Sequence, residues 1–324
     1  MFTGVFRIAL AAFFSFVVLH PAHAQDGVKP RRVGWLVISS EEVARQNVDV
    51  IRAAFAELGY REGKDLILDV RYTAGRFERG PEFANELLRA GAEVIAAGGY
   101  QLAAAAIKAT QTVPVVGVGC GIELLSTSLA RPSGNLTGVS CQSPDLAAKQ
   151  LQLLSEVVGG PQIAALYNPT APHMQSSVDA LETAAAGLGL VAHPIAAKKA
   201  DEIEPAFAEI ARVGARGAMV VTDALFYSER RRVVASAAAH RIPIIASFRE
   251  FADLGALLSY GSNAQDLIRA SVVIIDKILK GAKPFDLPIE QPTKFELVVN
   301  LKTARELELT LPQPILVRAN EVIE

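Results

Sequence analysis

Short aliphatic and β-branched runs alternate along the chain with longer stretches of helical period. The runs fall at 33–38, 66–72, 94–97, 113–118 and 136–140, and again at 163–167, 191–196, 218–222, 242–246 and 256–259. Each is nearly continuous in apolar residues, as strands covered on both faces of a sheet require. The segments between them carry one apolar stripe. Over 41–58, Val43, Asn47, Val48, Ile51, Ala54, Phe55 and Leu58 recur at three- and four-residue spacing. Ser39-Ser40-Glu41-Glu42 ahead of that stripe reads as a capping box, and Gly59 as its stop. The segment 146–158 repeats the device with Leu146, Leu151, Leu154 and Val157. Strand and helix alternating in this way predict βαβ units and parallel sheets.

Ten strands are many for one doubly wound sheet, and they divide into two groups of five near 134–144. The halves echo each other. "AAAAIKATQTVPVVGV" (103–118) and "ASAAAHRIPIIAS" (235–247) each pass from an alanine-rich helix through a polar turn into aliphatic-Pro-aliphatic-aliphatic. The economical fold is α/β, with two Rossmann-like lobes, each holding its own parallel sheet. A further helix at 264–280 and the run 295–300 are too little for a third domain and return to complete the first two.

The first residues differ from the rest. A lone Arg7, an apolar run from Ile8 to Leu19 and then Ala22-His23-Ala24 form the three regions of a signal peptide. The run is short for a membrane span of about 20 residues. Cleavage is expected after 1–24, ahead of Gln25, which places the mature chain in the periplasm. At 51% hydrophobic and 20% charged residues the chain is globular rather than disordered. Its net charge of −2 lacks the basic stripe that nucleic acid requires. An oxidising compartment bears on Cys120 and Cys141, which follow neighbouring strand-like runs. A disulfide and two buried thiols both fit. His173, His193 and His240 stand singly, as surface or loop residues, without metal-ligand spacing.

Ligands of open parallel sheets lie beyond the carboxyl ends of the strands. In the first lobe those ends carry Ser39, Ser40, Gly98, Gly99, Tyr100, Gln101, Gly119 and Cys120. In the second they carry Asn168, Thr170, Asp223, Phe226 and Phe248. Gly98-Gly99 ends a strand and opens a helix, but GxGxxG and GxxxxGK[ST] are both absent. The glycines suit a small anion better than a nucleotide, because they bare helix N-terminal amides. A tight turn without a ligand is the bland alternative. Asp223 is placed to receive an ammonium or hydroxyl, or to cap a helix beginning near Ser228. Phe226, Tyr227, Tyr100 and Phe248 offer stacking surface or plain core. One of Ser39 and Ser40 caps a helix and the other is left for a ligand. Arg249 and Glu250 are adjacent and can pair. GxSxG is missing, and neither a nucleophile–base set nor paired carboxylates assemble. The pattern predicts binding rather than turnover, with no cofactor.

Five segments carry a resemblance to a family. They are "ELGYREGKDLILDVRYTAGR" (57–76), "ARPSGNLTGVS" (130–140), "YNPTAP" (167–172), "REFADLGALLSYG" (249–261) and "ILKGAKPFDLPIEQPTKFELVVNLKTARELEL" (278–309). Together they resemble the periplasmic substrate-binding proteins of ABC transporters, in the group with tryptophan- and tyrosine-binding members. The resemblance implies the type I periplasmic-binding-protein fold, two lobes joined by a hinge of three crossings near 139–144, 260–263 and 287–292. It implies an N-terminal lobe of 25–140 plus 261–287 and a C-terminal lobe of 141–260 plus 288–324. Gly99, Tyr100 and Gln101 match the loop that holds a ligand carboxylate, and Asn168 and Asp223 match the facing strand ends. Many relatives have a small hydroxyl residue where this chain has Tyr100. The implied partners are a small amino-acid-like or aromatic carboxylate ligand and an inner-membrane permease with its ATPase, the protein itself being a monomer. A sensor feeding a membrane receptor shares this fold, and an exported α/β enzyme is the more distant alternative. A cytoplasmic regulator would need a DNA-binding segment where the signal peptide stands.

Overall fold

A computed structural model of the chain describes residues 29–141, 146–171 and 174–324. The expected signal peptide and His173 lie outside the described residues, as does part of the first expected crossing. Helices and strands are numbered in chain order.

The first sheet holds β1 (Arg31–Val37), β2 (Leu66–Tyr72), β3 (Val94–Gly98), β4 (Val115–Val118) and β5 (Leu136–Val139), in the order β2-β1-β3-β4-β5. All its pairings are parallel. Its helices are α1 (Glu41–Glu57), α2 (Gly80–Arg89) and α3 (Gly99–Ala109). The chain then enters α4 (Leu146–Val158), β6 (Gln162–Tyr167), α5 (Met174–Gly187), β7 (Val191–Ala196), α6 (Ile203–Arg212) and β8 (Gly217–Val220). It continues through α7 (Ala224–Ser228), α8 (Arg230–Ala239), β9 (Ile244–Ala246), α9 (Arg249–Asp253) and β10 (Leu258–Gly261). Next α10 (Ala264–Leu279) returns to pack on α1, β3, β4 and β5. Finally β11 (Glu296–Asn300), α11 (Leu301–Glu306), α12 (Gln313–Arg318) and β12 (Glu321–Ile323) rejoin the second sheet, whose order is β12-β11-β10-β9-β8-β6-β7.

The run at 295–300 returns as expected, as β11 of the second sheet, but that sheet gains a further strand, β12, and is not wholly parallel, because β11 runs antiparallel to β10. The chain reaches β11 from the first sheet rather than from a crossover helix, so no rule forces it parallel. On the way, Glu290 bridges Val139 beside β5, with Ser140 N–H donating to Glu290 O at 2.8 Å.

The strands are buried because both faces are covered. Val33, Leu36, Val94, Ile95, Ala96 and Ala97 are inaccessible in the first sheet, as are Ile163, Ala164, Ala165 and Leu166 in the second. In α1 the inward stripe is Ala44, Val48, Val50, Ile51, Ala54 and Phe55, with Val43 and Leu58 drifting off the face. The cap of α1 is Ser40, whose hydroxyl accepts from Val43 N–H. Glu42 is therefore one position short of closing a capping box. The two cysteines form a disulfide, with Cα atoms 4.8 Å apart, which ties the loop after β4 to the segment after β5. His193 lies within β7 against Gln162, not in a loop, while His240 meets Glu204 at 2.9 Å.

Candidate ligand-binding cleft

Strand order reverses between β1 and β3 in one sheet and between β6 and β8 in the other. Crevices at the carboxyl ends of such switch points are where open parallel sheets bind ligands. A cavity of ≈ 970 Å³, its open mouth included, lies across both. Trp35, Ala44, Val48 and Ile51 line it from β1 and α1, Leu267 and Ile268 from α10, and Phe248 from the opposite lobe.

One polar end is backbone. Gly98 N-caps α3 and has no side chain of its own with which to cap that terminus. Gly99 sits at φ 69° and Gly119 at φ 106°, left-handed conformations that glycine adopts without strain. A Cβ on Gly119 would come 4.0 Å from Gly99 N, so the two loops converge. Ser39, 3% exposed, completes this corner with Tyr100, Gln101 and Cys120. Free amides at a helix N-terminus favour an anion.

The other polar end is Asp223, 7% exposed. It does cap a helix, but α7 rather than one starting near Ser228. Its Oδ1 accepts from Leu225 N–H at 2.8 Å and from Asn168 Nδ2 at 3.0 Å. Asn168 is held in turn by Thr170, whose N–H and hydroxyl donate to Oδ1 at 3.1 and 2.8 Å. Among the described residues Asp223 forms no ion pair, and no Lys, Arg or His lines the cavity. Among the described residues the cleft sets one carboxylate and one helix N-terminus against apolar walls, which matches a ligand that carries its own cation and its own anion.

The cleft thus gathers Ser39, Gly98, Gly99, Tyr100, Gln101, Gly119, Cys120, Asp223 and Phe248 from the expected set. Four others stand off it. Ser40 caps α1 on the outer side of the loop. Phe226 is fully buried in core. Asn168 is buried behind Asp223, and Thr170 is exposed beyond it. Nor do Arg249 and Glu250 pair: Arg249 reaches Asp253 and Glu321, while Glu250 turns inward.

Asn47, Tyr227 and Thr222 line the cavity as well. Asn47 Nδ2 donates to Tyr227 Oη at 3.2 Å, and the Tyr227 hydroxyl donates to Glu250 Oε1 at 3.2 Å. The Tyr227 ring meets Phe248 edge-on at 5.2 Å. Burial, then the Glu250 charge, pushes the tyrosine hydroxyl's pKa well up. Burial likewise raises that of Glu250. Tyr227 was expected near the cleft as an aromatic surface; its hydroxyl's partners, Asn47 and Glu250, were not.

A family model described as ABC transporter substrate binding protein matches residues 32–323. A tyrosine-binding protein of Clostridioides difficile is 24% identical over 294 residues, covering 88% of this chain and 83% of that protein. A domain from Streptococcus pneumonia solved in complex with L-Trp superposes with a TM-score of 0.83 at 26% identity, over 91% of this chain and all of that one. A conserved domain protein of Vibrio cholerae gives 0.84 at 23% identity, over 91% of this chain and all of that one. Among the described residues no helix is long and apolar enough to cross a membrane.

Proposed function

The chain belongs to the family of ABC transporter substrate-binding proteins, and from that premise we propose that it captures an aromatic α-amino acid in the interlobe cleft for ABC-type uptake. The observation that carries this is the cleft's polarity. The helix N-terminus at Gly98-Gly99 faces, across an apolar cavity, the carboxylate of Asp223, which forms no ion pair among the described residues. The ligand carboxylate takes the amides and the Ser39 hydroxyl, and its ammonium takes Asp223. Its ring lies among Trp35, Ile51, Phe248 and Tyr100. The tyrosine-binding relative and the L-Trp-bound neighbour support the class.

On this reading the lobes are 25–140 plus 261–287 and 141–260 plus 288–324, and 1–24 are removed on export. The mature monomer works in the periplasm, delivers ligand to a permease driven by its ATPase, and performs no chemistry itself. Thermal-shift titration of residues 25–324 with L-tyrosine, L-tryptophan and L-phenylalanine tests it. Ligand at about 100 times its Kd adds ~2.7 kcal/mol, a rise of roughly 5 °C or more. If none of the three moves the melting temperature at millimolar concentration, the assignment is wrong.

A further inference from the structure

Four side chains join the lobes beside the cavity without belonging to its anion or cation end. Asn47 and the Val43 carbonyl lie on α1, which packs on the first sheet. Tyr227, Arg230 and Glu250 lie on α7, α8 and α9, which follow β8 and β9 of the second. Two hydrogen bonds cross the gap: Asn47 Nδ2 to Tyr227 Oη at 3.2 Å, and Arg230 Nη2 to Val43 O at 3.3 Å. The second-lobe partners are tied to each other. Arg230 Nη1 donates to Tyr227 O at 2.9 Å, and its guanidinium stands 4.8 Å from the centroid of the Tyr227 ring. The lobes also approach at Gly75, where an added Cβ would come 3.2 Å from the Ser228 Oγ.

The direction of the central bond is fixed by Asn47, because an amide nitrogen donates and does not accept. The phenol oxygen of Tyr227 therefore accepts from Asn47 Nδ2, and its own proton is directed to Glu250 Oε1. The other carboxylate oxygen, Oε2, is buried without a hydrogen-bond partner. Such a group costs stability and persists where it serves something else.

We propose that Tyr227, aligned by Glu250 and braced by Arg230, is an interlobe clasp that closes onto Asn47 and the Val43 carbonyl and sets how long the lobes stay shut over the ligand. Tyr227, Arg230 and Glu250 are positioning residues: they act on the ligand through lobe closure. The kinetic form of the proposal rests on the amino-acid reading given above. A bond formed only after closure slows dissociation and leaves the encounter step alone.

Stopped-flow fluorescence of the chain's single tryptophan, Trp35, which lines the cavity, reads both rates with L-tyrosine as probe. Tyr227→Phe keeps the ring against Phe248 and removes the hydroxyl. It is expected to raise the dissociation rate about fivefold to tenfold while the association rate stays within about twofold. Asn47→Ala is expected to act similarly, and the double variant to add little to either single change. Arg230→Lys, which lacks the planar fork whose separate nitrogens reach the Tyr227 and Val43 carbonyls, shifts the dissociation rate in the same direction. Unchanged dissociation in Tyr227→Phe, or full additivity with Asn47→Ala, overturns the clasp. If L-tyrosine does not bind wild type, the functional reading fails separately. Small-angle scattering without added ligand then decides: a larger radius of gyration for Tyr227→Phe upholds the clasp, and superimposable curves overturn it.

Discussion

Replacing Asp223 by asparagine is the sharpest probe of the cleft, because the change is isosteric and its structural duties survive. Oδ1 of the new side chain still accepts from Leu225 N–H and Asn168 Nδ2, at present 2.8 and 3.0 Å away. The cap of α7 and the Asn168–Thr170 turn are therefore kept. What is lost is one negative charge in a cleft that has no Lys, Arg or His on its wall among the described residues. A hydrogen bond to a charged group contributes about 1.5–3 kcal/mol. Since ~1.4 kcal/mol is tenfold, L-tyrosine should bind roughly 10- to 150-fold more weakly. Calorimetric titration with three ligands separates the charge from everything else. Tyramine keeps the ammonium and lacks the carboxylate, so Asp223→Asn should weaken it by a similar factor. 3-(4-Hydroxyphenyl)propionate lacks the ammonium, and its carboxylate is repelled by Asp223, so its affinity should hold or rise. Asp223→Ala would confuse the result, since losing the cap costs ~1 kcal/mol and strands the Asn168 amide. Equal weakening of all three ligands by Asp223→Asn would show that Asp223 shapes the cleft and does not meet an ammonium.

Three further outcomes are expected. Ser40→Ala should lower stability by about 1 kcal/mol through the lost α1 cap and leave affinity unchanged, whereas Ser39→Ala should reverse that pattern; calorimetry of both variants distinguishes them. Removing the disulfide by Cys120→Ser with Cys141→Ser opens a link spanning 21 residues, which should cost about 3 kcal/mol and lower the melting temperature by several degrees. Glu250 is held above the ordinary glutamate value of 4.5 by burial, so its ionisation opposes the folded state. The cost is absent below 4.5, where both states are protonated, and complete above the raised value. Stability should thus gain as pH falls towards 4.5, and Glu250→Gln should flatten that part of the pH–stability curve.

Much of this architecture is legible in the sequence, the central strands such as β3 and β6 because covered faces exclude polar residues, and the edge strands β2 and β7 through their β-branched residues in spite of Asp69, Arg71 and His193. The runs at 66–72 and 191–196 and the helix at 146–158 coincide with β2, β7 and α4 to the residue. The ends of the second sheet are less legible for physical reasons. β12 is three residues, Glu321–Ile323, with an exposed edge, and so lacks an apolar run. The direction of β11 depends on where the chain arrives from, which no local pattern records. At the cleft, position after a strand was enough to find Gly99, Gly119 and Asp223. It could not distinguish Asp223 from Asn168, which stand at equivalent strand ends while one faces the cavity and the other supports it. Tyr227 and Phe226 are neighbours on one turn of α7, and only the packing of that turn decides that the first lines the cavity and the second fills the core. The helical spacing places Asn47 in the inward stripe of α1. It is polar because α1 turns that part of its face towards the other lobe.

The two lobes contribute different kinds of group, and this suggests an order of events on the proposed reading. The first lobe offers the α3 amides and the Gly119 loop, which are backbone and are in place whether or not the lobes meet. The second offers Asp223, Tyr227 and Phe248 on side chains carried by the moving partner. Ligand carboxylate therefore docks first, on the fixed terminus. Closure then brings a carboxylate into an apolar cavity, where an unpaired charge is strongly disfavoured. A ligand ammonium relieves that cost and a ligand without one does not. The ammonium is thus read at the closing step, as a condition for staying shut, and the Tyr227–Asn47 bond forms in the same step. Selectivity for amino acids over the corresponding acids should accordingly reside in the dissociation rate, with association rates of L-tyrosine and 3-(4-hydroxyphenyl)propionate within about threefold of each other. Stopped-flow traces in which the two differ chiefly in association would place recognition at first contact and refute this order.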